Sequence, residues 1–416
     1  MLRPRHRSEI LSSERNQTWH SRLKMSQGLA LRTVYVYSHN VIIIGAGLAG
    51  SVAAILLGRQ GYQTTIIDRY ERYPDDFRAE QLVGGQVTTL HQMGILEAIT
   101  GDLPRIPSAR SYRKNRLEAE SINPHYGLSY QTMIARVRAA IPKPVTQIFG
   151  RVVDITTLGS RRLVKLATGE AIAADLVIVA TGLNTQLTRQ LGVKATVLPD
   201  FSMTLGFDVL CPTKNTVMVF KGENLDSKID YFTIFPYHDR LRGNIFSFHS
   251  PDDPWLRKLR NDCHGTLRST MASTQQLHEF TTADLRVRAN DIMTLDDCLL
   301  DGIVFIGDAH QTSCPSTGTG VTKVLTDTFI LCNRYVPRWL AAGDFARTSI
   351  AEFYDDPVKS AFDRQAMHDT RYRKELATNK TLRWQLHRTR LAVTNGLRTN
   401  FNFDLTRHKD NAFVSA

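Results

Sequence analysis

Three glycines at fixed spacing constrain this chain more than anything else in it: Gly45-Ala46-Gly47-Leu-Ala-Gly50. Asn40-Val-Ile-Ile-Ile44 before them has the length and apolarity of a buried strand. The Ala-rich stretch after them, from Ser51 to about Gln60, reads as a helix stopped by Gly61. Thr64-Thr-Ile-Ile-Asp68 is a second strand, so the segment is a β-α-β unit ending in an acid about 20 residues past the glycines. The spacing alone is common by chance; the flanking strand and helix give it meaning. Gly45 permits a tight turn, Gly47 lets the backbone approach a pyrophosphate, and Gly50 lets the helix pack close to the strand. The helix start then offers unpaired N–H groups to phosphates. Asp68 can accept from both ribose hydroxyls, and Arg69 stands beside it. A dinucleotide site formed by Gly45, Ala46, Gly47, Gly50, Asp68 and Arg69 is expected.

A second motif lies far downstream. The short apolar strand Gly302-Ile-Val-Phe-Ile306 runs into Gly307-Asp308-Ala309, then Pro315-Ser-Thr-Gly318-Thr-Gly320 and a helix to about Cys332. A carboxylate at a strand end can accept from the ribitol hydroxyls of a flavin. N–H groups near Gly318 and Gly320, at a helix N-terminus, can stabilise negative charge on the flavin pyrimidine ring. The plainer reading is a strand-loop-helix junction with an N-capping Asp. Paired with the first motif, Gly307, Asp308, Pro315, Gly318 and Gly320 point to FAD.

Over about residues 40–345 this pairing resembles the FAD-dependent aromatic hydroxylases related to para-hydroxybenzoate hydroxylase. The resemblance extends to Phe77-Arg78-Ala-Glu80, and implies that Arg78 reaches the FAD pyrophosphate near the nicotinamide cofactor. Tyr130-Gln131-Thr132, followed by Arg136, resembles the helix start that contacts the phosphate and ribityl region, which implies Gln131 as a cofactor contact. For Arg136 a solvated helix face is the competing reading. The implied activity is a monooxygenase that uses NAD(P)H and O2 on a small aromatic or polyketide-like molecule. The residues single out no catalytic side chain and no metal cluster, as expected where the cofactor carries the chemistry.

Two positions depart from the family pattern. Ala180-Thr181-Gly182 stands where the family has Asp-Gly, and His310 is shifted by one from the usual histidine. The missing carboxylate keeps open a flavin-dependent reductase or dehydrogenase, such as the isoprenoid-chain reductases. A non-catalytic binding module is a third reading. Halogenation is disfavoured, since no W-x-W-x-I-P segment occurs.

The expected fold class is α/β: a Rossmann-like FAD-binding domain with a parallel sheet and β-meander, an inserted mixed β-sheet substrate domain, and a helical C-terminal region. The FAD domain is discontinuous, 40–190 plus 285–345; the sheet domain is 191–284; a basic helical region is 346–416. Helices are expected from Arg78 to about Met93 and from Tyr130 to Ile141. Residues 1–39 read as an N-terminal extension, disordered or preceding a true start at Met25. On the middle sheet Tyr231, Tyr237 and His238 are candidates to orient a substrate, with ordinary packing as the alternative. Cys314, just before Pro315, is expected near the flavin ring or as a small loop residue.

The net charge of +12 collects in the first 25 residues and after about residue 357. With no nucleic-acid motif, this suggests a basic enzyme whose field favours anionic ligands. The basic helix 357–400 reads as a solvated face, with contact to anionic lipid or an anionic partner as the lesser alternative. No apolar run reaches the length of a transmembrane helix. Five cysteines without a C-x-x-C pair give neither a disulfide framework nor a zinc site, and suit a reducing, cytoplasmic setting. The oligomeric state is not legible.

Overall fold

Val41–Ile44 and Leu176–Val179 are buried at every position. A strand covered on both faces is apolar throughout rather than alternating. In this computed structural model the two strands are the centre of a five-stranded sheet, ordered Ile303–Phe305, Leu176–Val179, Val41–Ile44, Thr64–Asp68, Thr146–Phe149. All its pairings are parallel. The loops at Gly45, Arg69, Gly150, Ala180 and Gly307 therefore open on one edge, where open α/β sheets bind their ligands. The structure describes residues 34–36, 40–78, 80–210, 215–237, 240–274 and 281–397.

Helix Leu48–Arg59 starts directly after Gly47, three residues earlier than expected, and covers one face of the sheet. Its fully buried Ala53 and Ala54 leave room for helix Gly320–Ile330 to pack against it. The meander forms a four-stranded sheet of Ala171–Ala174, Arg161–Leu166, Val152–Leu158 and Val34–Val36. The last of these lies inside the segment taken as an extension; it pairs parallel with Ala171–Ala173. Residues 1–33 and 37–39 lie outside the described residues.

The helix expected from Arg78 is a correction. Gln81–Leu82 is instead a strand paired with Tyr126–Gly127, and the helix is Gly84–Gln92. Val83 stays extended and its N–H donates to the Gln86 side chain, which fixes the later start. Arg78 thus sits on a loop between the two halves of the molecule.

The middle sheet is wider than the 191–284 segment. Seven strands run in the order Thr281–Leu295, Ala195–Leu210, Arg240–Ser247, Ile229–Tyr237, Val217–Lys221, Ala109–Arg113, Arg116–Ser121. The pair 109–121 is recruited across a parallel junction, Val217–Phe220 beside Ala109–Tyr112. One face carries stacked rings, Tyr112 on Phe220 on Phe232 on Phe207, and is covered by helices Pro254–Asn261 and Cys263–Thr270 through Leu256, Leu259 and Leu267. Strand alternation sends Tyr231, Thr233 and Val219 to the opposite face, toward the parallel sheet's open edge.

Helices Arg347–Tyr354, Pro357–Thr378 and Leu382–Leu397 follow. The basic helix is not a wholly solvated face. Arg373 pairs with buried Asp230 at 3.0 Å, and the Lys374 ammonium lies 4.2 Å over the Phe201 ring. Among the described residues no helix is long and apolar enough to cross a membrane.

Candidate active site

The glycine loop is fixed by its neighbours. Gly45 has φ +101°, and a Cβ there would lie 2.5 Å from the Ala180 carbonyl oxygen. A Cβ at Gly50 would collide with the Gly45 carbonyl. At Gly47 a Cβ would meet nothing within 4 Å, because the space over it is a cavity of 590 Å³. That cavity is lined by Gly45, Gly47, Leu48 and Ala49, by Asp68 and Arg69, and by Arg78 and Asp308. A backbone cradle at a helix start, with a carboxylate on either side, fits the pyrophosphate, ribose and ribitol of FAD.

Arg138 holds this arrangement together, and the sequence reading passed over it. Its Nε donates to the Ala46 carbonyl at 2.7 Å, Nη1 donates to Tyr70 at 2.8 Å, and Nη2 lies 3.1 Å from Asp68 Oδ2. Asp68 itself accepts from the Ala46 N–H at 2.6 Å and the Tyr70 N–H at 2.8 Å. Arg136, the arginine singled out, bonds the Ile99 carbonyl and pairs with exposed Asp102. Arg138 belongs to the buried stripe Met133, Ile134, Val137 of helix Tyr130–Ala139, and its place on that stripe is the signal that could have found it. Gln131 donates to the Tyr73 carbonyl at 2.8 Å and does not line the cavity.

The second motif rests on a buried ionic square. The Gly307 N–H donates to Asp327 at 2.8 Å. Lys323 lies 2.7 Å from Asp327 and 3.2 Å from Asp363; Lys359 lies 3.2 Å from Asp327 and 2.6 Å from Asp363. Burial opposes the charge on both Lys323 and Asp327, but the opposite partners win: Lys323 is pushed up and Asp327 down from their ordinary values. His310 faces this square, 3.4 Å from Lys359, and burial with the two lysines holds it neutral. Cys314 is fully buried against Ser202 and Ser316 and lines neither cavity. Asp308 is raised by burial despite Arg78, 3.4 Å away. Arg78 is also paired with Asp76; burial opposes its charge, and Tyr130, Asp308 and Asp76 restore it.

A second cavity of 250 Å³ adjoins the first and shares Leu48, Arg78, Tyr130, Asp308 and Val324 with it. Pro315, Gly318 and Gly320 form one wall, and a Cβ at Gly320 would meet nothing within 4 Å. The middle sheet forms the other wall with Tyr231, Phe246, Val217 and Val219. Gln86 braces the glycine loop by donating to the Gly318 carbonyl at 3.0 Å. Of the three candidates on the middle sheet, Tyr231 lines this cavity and also packs in the apolar cluster with Val217 and Val219. Tyr237 does not line this cavity: it is half-buried, with the Arg242 guanidinium 5.8 Å over its ring. His238 lies outside the described residues. Thr181 and Gly182 line the larger cavity and offer no carboxylate there. At the rim between the halves, Arg242 reaches Glu80 at 2.9 Å and Asp208 at 2.9 Å, all three buried. Burial still leaves Glu80 raised.

The FAD binding domain family matches residues 38–140. An uncharacterized protein of Mycobacterium tuberculosis is 24% identical over 347 residues, 76% of this chain and 88% of its own length. The squalene epoxidase of Schizosaccharomyces pombe is 20% identical over 70% of this chain and 68% of its own. Among solved structures, p-nitrophenol 4-monooxygenase from Pseudomonas putida superposes with TM-score 0.69 at 13% identity, covering 88% of this chain and 95% of the other. A probable FAD-dependent monooxygenase from Pseudomonas aeruginosa gives 0.67 at 18%, covering 82% and 96%. With its motifs seated as described, the chain carries an FAD binding domain over residues 38–140 and has the fold of these FAD-dependent monooxygenases.

Proposed function

We propose that this chain is an FAD-dependent monooxygenase that takes electrons from NAD(P)H and one oxygen atom from O2, and acts on a small aromatic molecule. The observation that carries the reading is the pair of adjoining cavities. A polar one lies over the dinucleotide loop, and one walled by Phe77, Tyr130, Tyr231 and Phe246 lies under the sheet. Bound FAD supplies the redox chemistry and the activation of O2. The chain's own residues bind and orient. The N–H groups after Gly47 and the Arg78 guanidinium would receive the phosphates of FAD. The loop Gly318–Gly320 would offer backbone donors to its ring, and the aromatic walls would hold the substrate while excluding water. The free Cys263, Cys298, Cys314 and Cys332 support a reducing, cytoplasmic setting; Cys211 lies outside the described residues.

One observation favours a second reading. No acid lies among residues 181–184 on the cavity wall, where the resemblance implied a carboxylate for the nicotinamide. A reductase or dehydrogenase with another electron partner would not need it. An anaerobic absorption spectrum before and after NADPH separates the two. Bleaching of the flavin bands, followed by O2 uptake on adding substrate, is the expected result. Bands that persist favour the second reading, and a protein that cannot be reconstituted with FAD overturns both.

A further inference from the structure

The smaller cavity is mostly apolar, yet two of its polar side chains have nothing to bond. His125 is 7% exposed and lines the cavity, and neither of its ring nitrogens has a hydrogen-bond partner among the described residues. The Gln81 side-chain nitrogen is buried, unpartnered, and on the same cavity wall. Their proximity follows from the backbone. Gln81 pairs with Gly127 and Leu82 with Tyr126, so the next register position sets His125 opposite Val83. Alternation then turns Gln81, Val83 and His125 to the cavity, and Leu82 and Tyr126 to the core of the FAD domain. His125 also bridges Ile106, whose apolar cluster supplies Ala109, Val217, Val219 and Tyr231 to the lining of the same cavity.

Buried polar groups are hydrogen-bonded in nearly all native structures, and those that are not call for a partner. Two such groups on one wall of one cavity, on neighbouring strands, call for the same one. We propose that His125 and Gln81 form a hydrogen-bonding subsite for a neutral hydroxyl or carbonyl group carried by an otherwise apolar substrate. This rests on reading the smaller cavity as the substrate cavity. Burial alone depresses His125, to about 4, so its ring is neutral in ordinary buffers. A neutral imidazole has one donor and one acceptor nitrogen. A phenol can donate to the acceptor, a ketone can accept from the donor, and the Gln81 amide adds a second donor. An apolar isostere of the substrate would leave all of these groups unpaired, which is the strongest form of discrimination a buried site achieves.

The test uses FAD-loaded full-length protein and two probes of matched shape, 2-naphthol and 2-methylnaphthalene, titrated against the flavin absorption spectrum. In the unsubstituted protein 2-naphthol is expected to bind at least about tenfold tighter. His125→Leu is expected to remove that preference by weakening 2-naphthol while leaving 2-methylnaphthalene as tight or tighter; Gln81→Met is expected to narrow it in part. Equal binding of the probes to the unsubstituted protein, or to neither, overturns the subsite, as does a preference that survives His125→Leu. Thermal unfolding gives an independent reading. A histidine kept for a ligand can be replaced by Leu with the melting temperature unchanged or raised, since an unpaired buried group is removed. A fall of more than about 5 °C would show a structural partner and overturn the proposal. NADPH bleaching of the flavin stays the separate test of the monooxygenase reading, so either can fail while the other stands.

Discussion

The two walls of the central space are built on different rules. On the parallel-sheet wall the cradle is backbone, with glycines at positions 45, 47, 318 and 320 and N–H groups at two helix starts, and charged side chains, among them Asp68, Arg78 and Asp308, stand beside it. On the seven-stranded wall the contacts are side chains, one to three from each of six strands, drawn from residues 109 to 291. Backbone recognition needs particular residues at particular spacings, because only glycine allows the turn and the close approach. Side-chain recognition needs only alternation, which any sheet residue satisfies. A cofactor common to many proteins can be held by the first rule, whereas a substrate peculiar to one is met by the second.

The sharpest test of that contrast is Gly50→Ala, whose Cβ would strike the Gly45 carbonyl. The protein is expected to purify without FAD, read as loss of the visible flavin bands. Thr204→Ala on the opposite wall, by contrast, should keep full FAD content and change only ligand affinity. If Gly50→Ala retained FAD, the backbone rule would fail. Next in size is the bridge between the walls. Arg242→Met leaves Glu80 buried without its paired cation, while Asp208 keeps Arg240, and should cost about 3 kcal/mol in denaturant unfolding.

Within the cofactor wall, Arg138→Met should cost about 3 kcal/mol and weaken FAD retention, whereas Arg136→Met should stay under about 1 kcal/mol, since its partner is exposed. Equal effects from the two would dissolve the distinction drawn between them. The smallest effect is a slope. A histidine whose folded value is lowered contributes stability that is present above its unfolded value of 6.5 and is lost as pH falls toward about 4. Between pH 7 and pH 5, His125→Leu should therefore lose about 2 kcal/mol less stability than the unsubstituted protein. Parallel losses in the two proteins would mean that His125 is not held neutral.

The same contrast explains what could be read in advance. The β-α-β unit, both motifs, the meander and the α/β class follow from spacing and from runs of buried Val and Ile. The helix expected from Arg78 was displaced because Gln81 and Leu82 find strand partners more than 40 residues away, which local pattern does not report. The Glu80–Arg242 pair spans 162 positions. His310 and Cys314 sit close to the motif in sequence but line neither cavity, because His310 packs against Lys359 of the ionic square and Cys314 is buried against Ser202 and Ser316. Arg138 differs from Arg136 only in which side of one helix it occupies.

The ionic square has a consequence for how the protein is made. Asp327 grips the Gly307 N–H, and it is balanced by Lys359, which a ribosome delivers only after almost the whole described chain. Domains tend to mature in the order in which they emerge. Here the dinucleotide loop emerges early, while the charges that brace the second flavin loop are complete only once helix Pro357–Thr378 has docked. If the chain captures FAD through this loop, capture is expected late in biosynthesis. Cutting the chain at residues 343–346, after helix Val336–Ala342, would forfeit the flavin even though nothing beyond the cut lines either cavity.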